Sequence, residues 1–143
     1  MHYLYFRAVT DQANDDATGD SALFPLSSLM GMQPTSDTAL TLYFKPMVRR
    51  TPSGNEPDAD ASFDNHDTVV LTVTSNRHKE AMQDIIKLRT SGIAVIADDV
   101  TTTYLTGTHG RTGAAIDETV TASYISTYIT ACVSINVSAA YAN

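Results

Sequence analysis

The chain has 143 residues, 43% of them hydrophobic, and a formal net charge of −7. This length and composition suffice for one domain with a sizeable core, while the acidic balance argues against nucleic acid and anionic membrane surfaces as partners. Cys132 is the single cysteine, which excludes an internal disulfide, and no segment is typical of a signal peptide or membrane span, so we expect synthesis in a cytoplasm.

The first half of the chain predicts strands separated by loops. Residues 2–9 alternate apolar and polar side chains, the period of two that a half-buried strand requires. Residues 11–21 are polar and predict a mobile loop, and Pro25 confines the apolar pieces around it to sheet edges, because proline cannot donate to a ladder. Residues 37–48 predict a further strand. Residues 49–66 hold two prolines and four acids, and they predict a long mobile loop that serves as a contact arm.

Residues 67–99 predict a complete strand–helix–strand unit. The first strand alternates apolar and polar residues, and an amphipathic helix follows over about 76–90. Ser75 or Asn76 supplies the expected N-cap oxygen. The unbroken apolar run over 93–97 is typical of a central strand that is covered on both faces.

The last part of the chain predicts a third mobile loop over about 106–118 and then the longest alternation, over 119–138. One long strand, or two joined by a bulge, would satisfy this pattern. The alternation assigns Val133 to the aliphatic face and Cys132 to the opposite face.

The predicted fold class is therefore α+β: a single β-rich domain over residues 1–143. Its strands form a mostly antiparallel sheet or sandwich, and the one amphipathic helix packs on it. The order of the strands, and whether the two strands of the central unit are parallel, stay open at this stage.

A set of tyrosines falls on the strand faces opposite the aliphatic ones. Tyrosine is enriched at protein interfaces because ordering its ring costs little conformational entropy and its hydroxyl can still form a hydrogen bond. Two other roles are open for these tyrosines: they could pack in a second layer inside the domain, or their rings could lie on a solvent-exposed face of a sheet. The predicted interface consists of Tyr3, Tyr5, Tyr43, Tyr124 and Tyr128, together with Arg49, Arg50 and Phe63 of the long loop.

No catalytic, metal or cofactor pattern stands out, so the sequence predicts a protein that is not an enzyme. Residues 14–20 begin like a calcium loop, but Pro25 stands where a bidentate Glu is needed. Asp98 and Asp99 point to opposite sides of a strand, which disfavours an acid/base pair and favours a solvated turn. A small metal-dependent protein using these two carboxylates and His109 is kept as the last alternative.

Five stretches together resemble small virion-associated proteins of tailed bacteriophages, particularly those of marine and cyanobacterial phages. They are residues 4–7 (LYFR), 23–32 (LFPLSSLMGM), 37–44 (DTALTLYF), 67–86 (DTVVLTVTSNRHKEAMQDII) and 93–99 (IAVIADD). The resemblance implies a structural protein on an assembled particle, with capsid decoration, or cement, as the leading role.

That role implies the major capsid protein as partner, a homotrimer on local symmetry axes of the shell, and a location on the capsid surface of the virion after synthesis in the host bacterial cytoplasm. A tail-tube or head-completion component that forms rings by edge-strand pairing is the first alternative. A host-directed binding protein is the second.

Overall fold

The computed structural model describes residues 2–47, 66–87, 92–108, 115–119 and 121–137. The strands of these residues are β1 (His2–Arg7), β2 (Ser21–Pro25), β3 (Leu29–Ser36), β4 (Ala39–Phe44), β5 (Asp67–Val73), β6 (Gly92–Asp98), β7 (Thr103–Thr108), β8 (Ala115–Thr119), β9 (Ser123–Tyr124) and β10 (Ile129–Asn136). One α-helix in this part of the chain, α1 (His78–Ile86), lies between β5 and β6, and two short 3-10 turns span Gln12–Asn14 and Leu26–Ser28.

Two four-stranded sheets form the body of the fold. Sheet one has the order β2-β1-β6-β9, sheet two has the order β10-β5-β4-β3, and β7 and β8 form a separate hairpin. Every pairing is antiparallel except that of β1 with β6. The predicted α+β, β-rich single domain is thus confirmed, and it takes the sandwich form of that prediction.

The core lies between the two sheets and is built from the inward positions of alternating strands. The ring of Phe44 from sheet two stacks on Phe24 of sheet one at 4.2 Å, and Phe6 meets it edge-on at 5.9 Å. Period-two alternation places the inward side chains of β1, β4 and β5 at 1% exposure or less, as the sequence predicts. They are Leu4, Phe6, Leu40, Leu42, Phe44, Val69, Leu71 and Val73.

The strand–helix–strand unit exists, but its two strands belong to different sheets. β5 lies in sheet two and β6 in sheet one, so α1 connects the two layers instead of crossing over within one sheet. The helix buries Ala81 and Ile85 against the core, and His78 Nε2 lies 3.0 Å from the Ser36 carbonyl oxygen in the β3–β4 hairpin.

The predicted N-cap of α1 is wrong. The Ser75 hydroxyl donates to the Asp37 carboxylate at 2.8 Å, and Asn76 adopts a left-handed conformation with φ of 65°. Arg77 precedes the first helical residue and provides no side-chain cap. The helix therefore begins at His78, because Ser75 instead binds Asp37 in the β3–β4 turn and Asn76 adopts a left-handed backbone conformation.

The faces predicted from the alternation over residues 119–138 are partly wrong, and the structure of β10 gives the reason. Its register shifts twice against β5, after Ile129 and after Cys132, and each shift adds one unpaired residue. The buried positions are therefore Ile129, Cys132 and Ile135, spaced by three, while Val133 is 58% exposed. The stretch forms two strands in different sheets, and the bulges lie within β10 instead of joining the two strands. The faces assigned to Val133 and Cys132 are wrong, because each bulge reverses the alternation.

Two of the regions predicted as mobile loops contain hydrogen-bonded structure among the described residues. Within residues 11–21, the Asp20 carboxylate accepts the backbone N–H groups of Asp16 and Ala17 at 3.1 and 2.7 Å. β7 and β8 occupy both ends of the region predicted as a loop over 106–118. The long loop over 49–66 lies outside the described residues except for its last position. Within the described ranges, no helix has the length and apolar character needed to cross a membrane.

Candidate interaction surface

The outer face of sheet one carries a continuous apolar and aromatic surface. Residues paired directly across neighbouring strands project to the same side of a sheet. On β1, Tyr3 pairs with Pro25 of β2 and Ile93 of β6, and the next outward residue, Tyr5, pairs with Leu23 and Val95. We define the outer face as these six residues, namely Tyr3, Tyr5, Leu23, Pro25, Ile93 and Val95.

The outer face is accessible within the described part of the chain. Ile93 is 62% exposed, Leu23 is 40% exposed and Val95 is 37% exposed, while both tyrosines are half-buried. The prediction that residues 93–97 are covered on both faces is therefore wrong. Three strands with a spacing of about 4.8 Å, each contributing about 10 Å of its length, give an area on the order of 150 Å². Monomeric proteins also expose apolar patches of this size, so the outer face is a candidate surface because its apolar and aromatic residues lie side by side in two adjacent rows.

Charged residues close one end of the outer face. Arg7, the next outward residue of β1, donates from Nε and Nη2 to both carboxylate oxygens of Asp98, at 2.9 and 2.8 Å. Its Nη1 reaches Asp15 at 3.5 Å, and its guanidinium carbon lies 5.8 Å from the centre of the Tyr5 ring. The hydrogen bond with Asp98 raises the pKa of Arg7, so this end keeps a fixed positive charge between two carboxylates.

The Asp99 side chain points away from Arg7 and binds residues of β9 and β10. Its carboxylate accepts the Tyr124 hydroxyl at 2.6 Å and the backbone N–H of Cys132 at 3.0 Å. The prediction that the two aspartates form a solvated turn is wrong, because Asp98 is held by Arg7 and Asp99 is held by these two donors. The prediction that they diverge is confirmed.

Burial and the neighbouring Asp99 carboxylate together control the protonation of two side chains. Burial is the larger cause for both groups; it raises the pKa of Tyr124, and it raises that of the Cys132 thiol to about 12. Both groups therefore stay protonated at neutral pH. The Asp99 carboxylate holds β9 and β10 to the end of β6 through the Tyr124 hydroxyl and the backbone N–H of Cys132.

We expect Asp99→Ala to lower the free energy of unfolding by about 2 kcal/mol, because it leaves two partly buried donors without their acceptor. Urea denaturation measures this change. The control is Asp37→Ala, which removes an exposed carboxylate that accepts from the Ser75 hydroxyl and should cost about 0.5 kcal/mol or less. Equal losses for the two variants would contradict the assigned role of Asp99.

The predicted tyrosine surface does not form one face. Tyr3 and Tyr5 lie on the outer face, whereas Tyr124 packs against the core and donates to Asp99. Tyr43 lies on the outer side of sheet two, where its hydroxyl accepts from the Gln33 amide at 2.8 Å. The ring of Tyr128 packs against the core, with the Arg77 guanidinium carbon 5.6 Å from its centre.

The physical reason is the division into two sheets. Alternation within a strand shows only that a residue points away from the core, and the outer faces of a sandwich point in opposite directions. The remaining members of the predicted set, Arg49, Arg50 and Phe63, lie outside the described residues.

Four residues of the outer face were missed at the sequence level: Leu23, Pro25, Ile93 and Val95. The sequence places Leu23 and Pro25 at a sheet edge, and it attributes the apolar character of Ile93 and Val95 to burial on both sides of a central strand. One signal was present, however. A sandwich has two outer faces, and a single amphipathic helix cannot cover both of them.

The described residues contain no group of three or more His, Cys, Asp or Glu side chains arranged to hold a metal ion. Comparison of the chain with family models, curated proteins and solved structures gave no match.

Proposed function

We propose that this protein is a structural component of a tailed-phage virion, a decoration (cement) protein that binds the assembled head shell through the outer face. The observation that carries the proposal is the outer face itself: six apolar or aromatic residues on three paired strands, without a charged side chain among them. The resemblance of five stretches of the sequence to virion-associated phage proteins supplies the partner, the major capsid protein.

The composition of the outer face suits protein docking. Tyr3 and Tyr5 are rigid aromatic residues held in a sheet, so ordering them on binding costs little. Ile93 and Leu23 provide apolar contact area around them, and the Arg7 ion pair supplies a polar rim. This arrangement of an apolar centre with a polar border is common at protein interfaces.

The size of the outer face favours a multivalent mode of binding. An area on the order of 150 Å² is about a fifth of the roughly 800 Å² per partner of a standard stable interface. A single contact is therefore weak. A homotrimer, formed through other surfaces of the chain, would engage three shell sites at once and gain affinity from the effective concentration of the linked sites.

The strand edges support face docking over ring formation by edge pairing. β2, at one edge of sheet one, ends at Pro25, and β3, at one edge of sheet two, contains Pro34. β10, the other edge of sheet two, carries two register shifts. Proline and bulges at an edge disfavour the addition of another strand. The alternative of a tail-tube or head-completion ring therefore lacks a suitable edge among these strands.

The test is co-sedimentation of the purified protein with head shells assembled from the major capsid protein of the phage that encodes it. We expect the protein to pellet with expanded shells at micromolar concentration and to saturate at a fixed number of copies per shell. Protein that stays in the supernatant while the shells remain intact would contradict the proposal. So would stacked rings of the isolated protein in electron micrographs.

A further inference from the structure

We infer that the capsid surface covered by the outer face is apolar at its centre and carries Lys or Arg side chains on the flank that meets the turn of residues 11–20. This inference rests on the proposed function and concerns the chemistry and the orientation of the partner. It is carried by the one-sided distribution of charge around the outer face.

The turn of residues 11–20 is strongly acidic. It contains four aspartates and neither Lys nor Arg. With Asp98 added, this end of sheet one has five carboxylates, and the Arg7 guanidinium contacts two of them, those of Asp15 and Asp98. The turn is ordered, because the Asp20 carboxylate accepts two of its backbone N–H groups and the Asp11 carboxylate accepts that of Ala13 at 3.0 Å.

The turn borders the outer face directly. Arg7 follows Tyr5 on the outward side of β1, and it contacts the Asp15 carboxylate. The Ser21 hydroxyl donates to Asp15 at 2.6 Å, and the Ala8 N–H donates to the Asp20 carbonyl at 2.8 Å. The acidic turn is therefore fixed at one end of the apolar rows.

The opposite end of the outer face has a different character. It is formed by Tyr3, Pro25 and Ile93, none of which carries a charge. For the described residues of the outer face and the turn, a complementary partner is therefore apolar along most of the contact and basic at the flank that meets the turn. This asymmetry sets the direction in which the chain docks as well as the partner's chemistry.

A second copy of the chain does not meet this requirement. Each copy has a net charge of −7, so two copies joined through this face would bring like charges together. The apolar area is also well below what a stable dimer needs. A partner with basic residues instead gains an attraction that steers its approach, and salt weakens this attraction beyond the Debye length of about 8 Å at physiological ionic strength.

Asp16→Lys tests the inference, because Asp16 is exposed and joins the turn through its backbone N–H. The control is the double variant Thr38→Lys/Gln83→Lys, which changes net charge by the same two units at exposed positions of the β3–β4 turn and α1. In shell co-sedimentation at about 0.05 M salt, we expect Asp16→Lys to bind about tenfold more weakly than wild type and the control to bind within about twofold of it. The difference should shrink to about twofold or less near 0.5 M salt.

The outcomes separate this inference from the proposed function. If wild type binds shells and Asp16→Lys binds like the control, or binds more tightly, the basic flank is wrong and the proposed function stands. A tenfold loss that salt does not reduce would also overturn it, since the effect would then be steric. If wild-type protein does not bind shells at all, the proposed function and the partner inferred here are both wrong.

Discussion

Replacing Ile93 with Asp should lower the affinity of the protein for head shells by about 100-fold or more. Ile93 is the most exposed residue of the outer face, at 62%, and it pairs with Tyr3 in the uncharged row. The substitution removes apolar contact area and forces an unpaired carboxylate into the docked surface, and each effect costs binding free energy. The inferred basic flank lies at the other end of the face, so it offers no partner for the new charge.

Val133→Asp is the matched control for this experiment. Val133 is also a β-branched strand residue, it is 58% exposed, and it lies on β10 in sheet two. Both substitutions add one negative charge at an exposed position, so the free energy of unfolding of both variants, measured in urea, should stay within about 1 kcal/mol of wild type. The outer face is the docking surface only if Ile93→Asp loses shell binding and Val133→Asp keeps it. An equal loss in both variants would indicate a nonspecific charge effect.

Phe44→Ala should reduce the free energy of unfolding by about 3–5 kcal/mol, the range typical of a large aromatic residue removed from a core. Phe44 is fully buried and contacts Phe24 and Phe6 of the opposite sheet. Because a domain of this size is stable by only about 5–15 kcal/mol, this loss is a large fraction of the total. Urea denaturation followed by circular dichroism measures it.

The control for Phe44→Ala is the neighbouring Tyr43→Ala. Tyr43 points away from the core on the same strand, and its hydroxyl bonds to Gln33. We expect a loss of about 1 kcal/mol for this variant. If the two substitutions cost the same, the two sheets are not held together by the phenylalanine cluster, and the sandwich described above would be contradicted.

The sequence predicts β1, β4 and β5 well because these strands obey a period of two with one face in the core. Leu4, Leu42 and Leu71 are each at 0% exposure, as their alternation requires. The existence and type of α1 also follow from sequence, although its first residue does not, since Ser75 is engaged by Asp37. These features depend on local patterns, which a sequence records directly.

Other features depend on contacts between distant parts of the chain, and the sequence did not reveal them. The spacing of three between Ile129 and Cys132 arises from bulges whose position is tied to Asp99, 33 residues before Cys132. The two-sided burial predicted for residues 93–97 failed because β6 lies in sheet one, while the helix that follows β5 packs on the core side. Both the burial pattern of β10 and the exposure of β6 depend on which sheet each strand joins, and a local sequence pattern does not record this.

The candidate surface was predicted in part. Alternation identified Tyr3 and Tyr5 as outward residues, and both belong to the outer face. It could not separate them from Tyr43, which points outward from the other sheet. Asp98 comes at the end of an apolar run, where a turn residue is expected. The alternation therefore could not show that Asp98 forms an ion pair with Arg7, which lies 91 residues earlier in the chain.

The orientation of the protein on a decorated shell tests the docking surface most directly. An electron cryomicroscopy reconstruction of shells saturated with the wild-type protein would show which side of the sandwich contacts the major capsid protein. We predict that the outer face lies against the shell, with Tyr5 and Ile93 buried and the turn of residues 11–20 next to basic side chains. A reconstruction in which the outer face points to solvent, with the shell contact made elsewhere, would contradict the account.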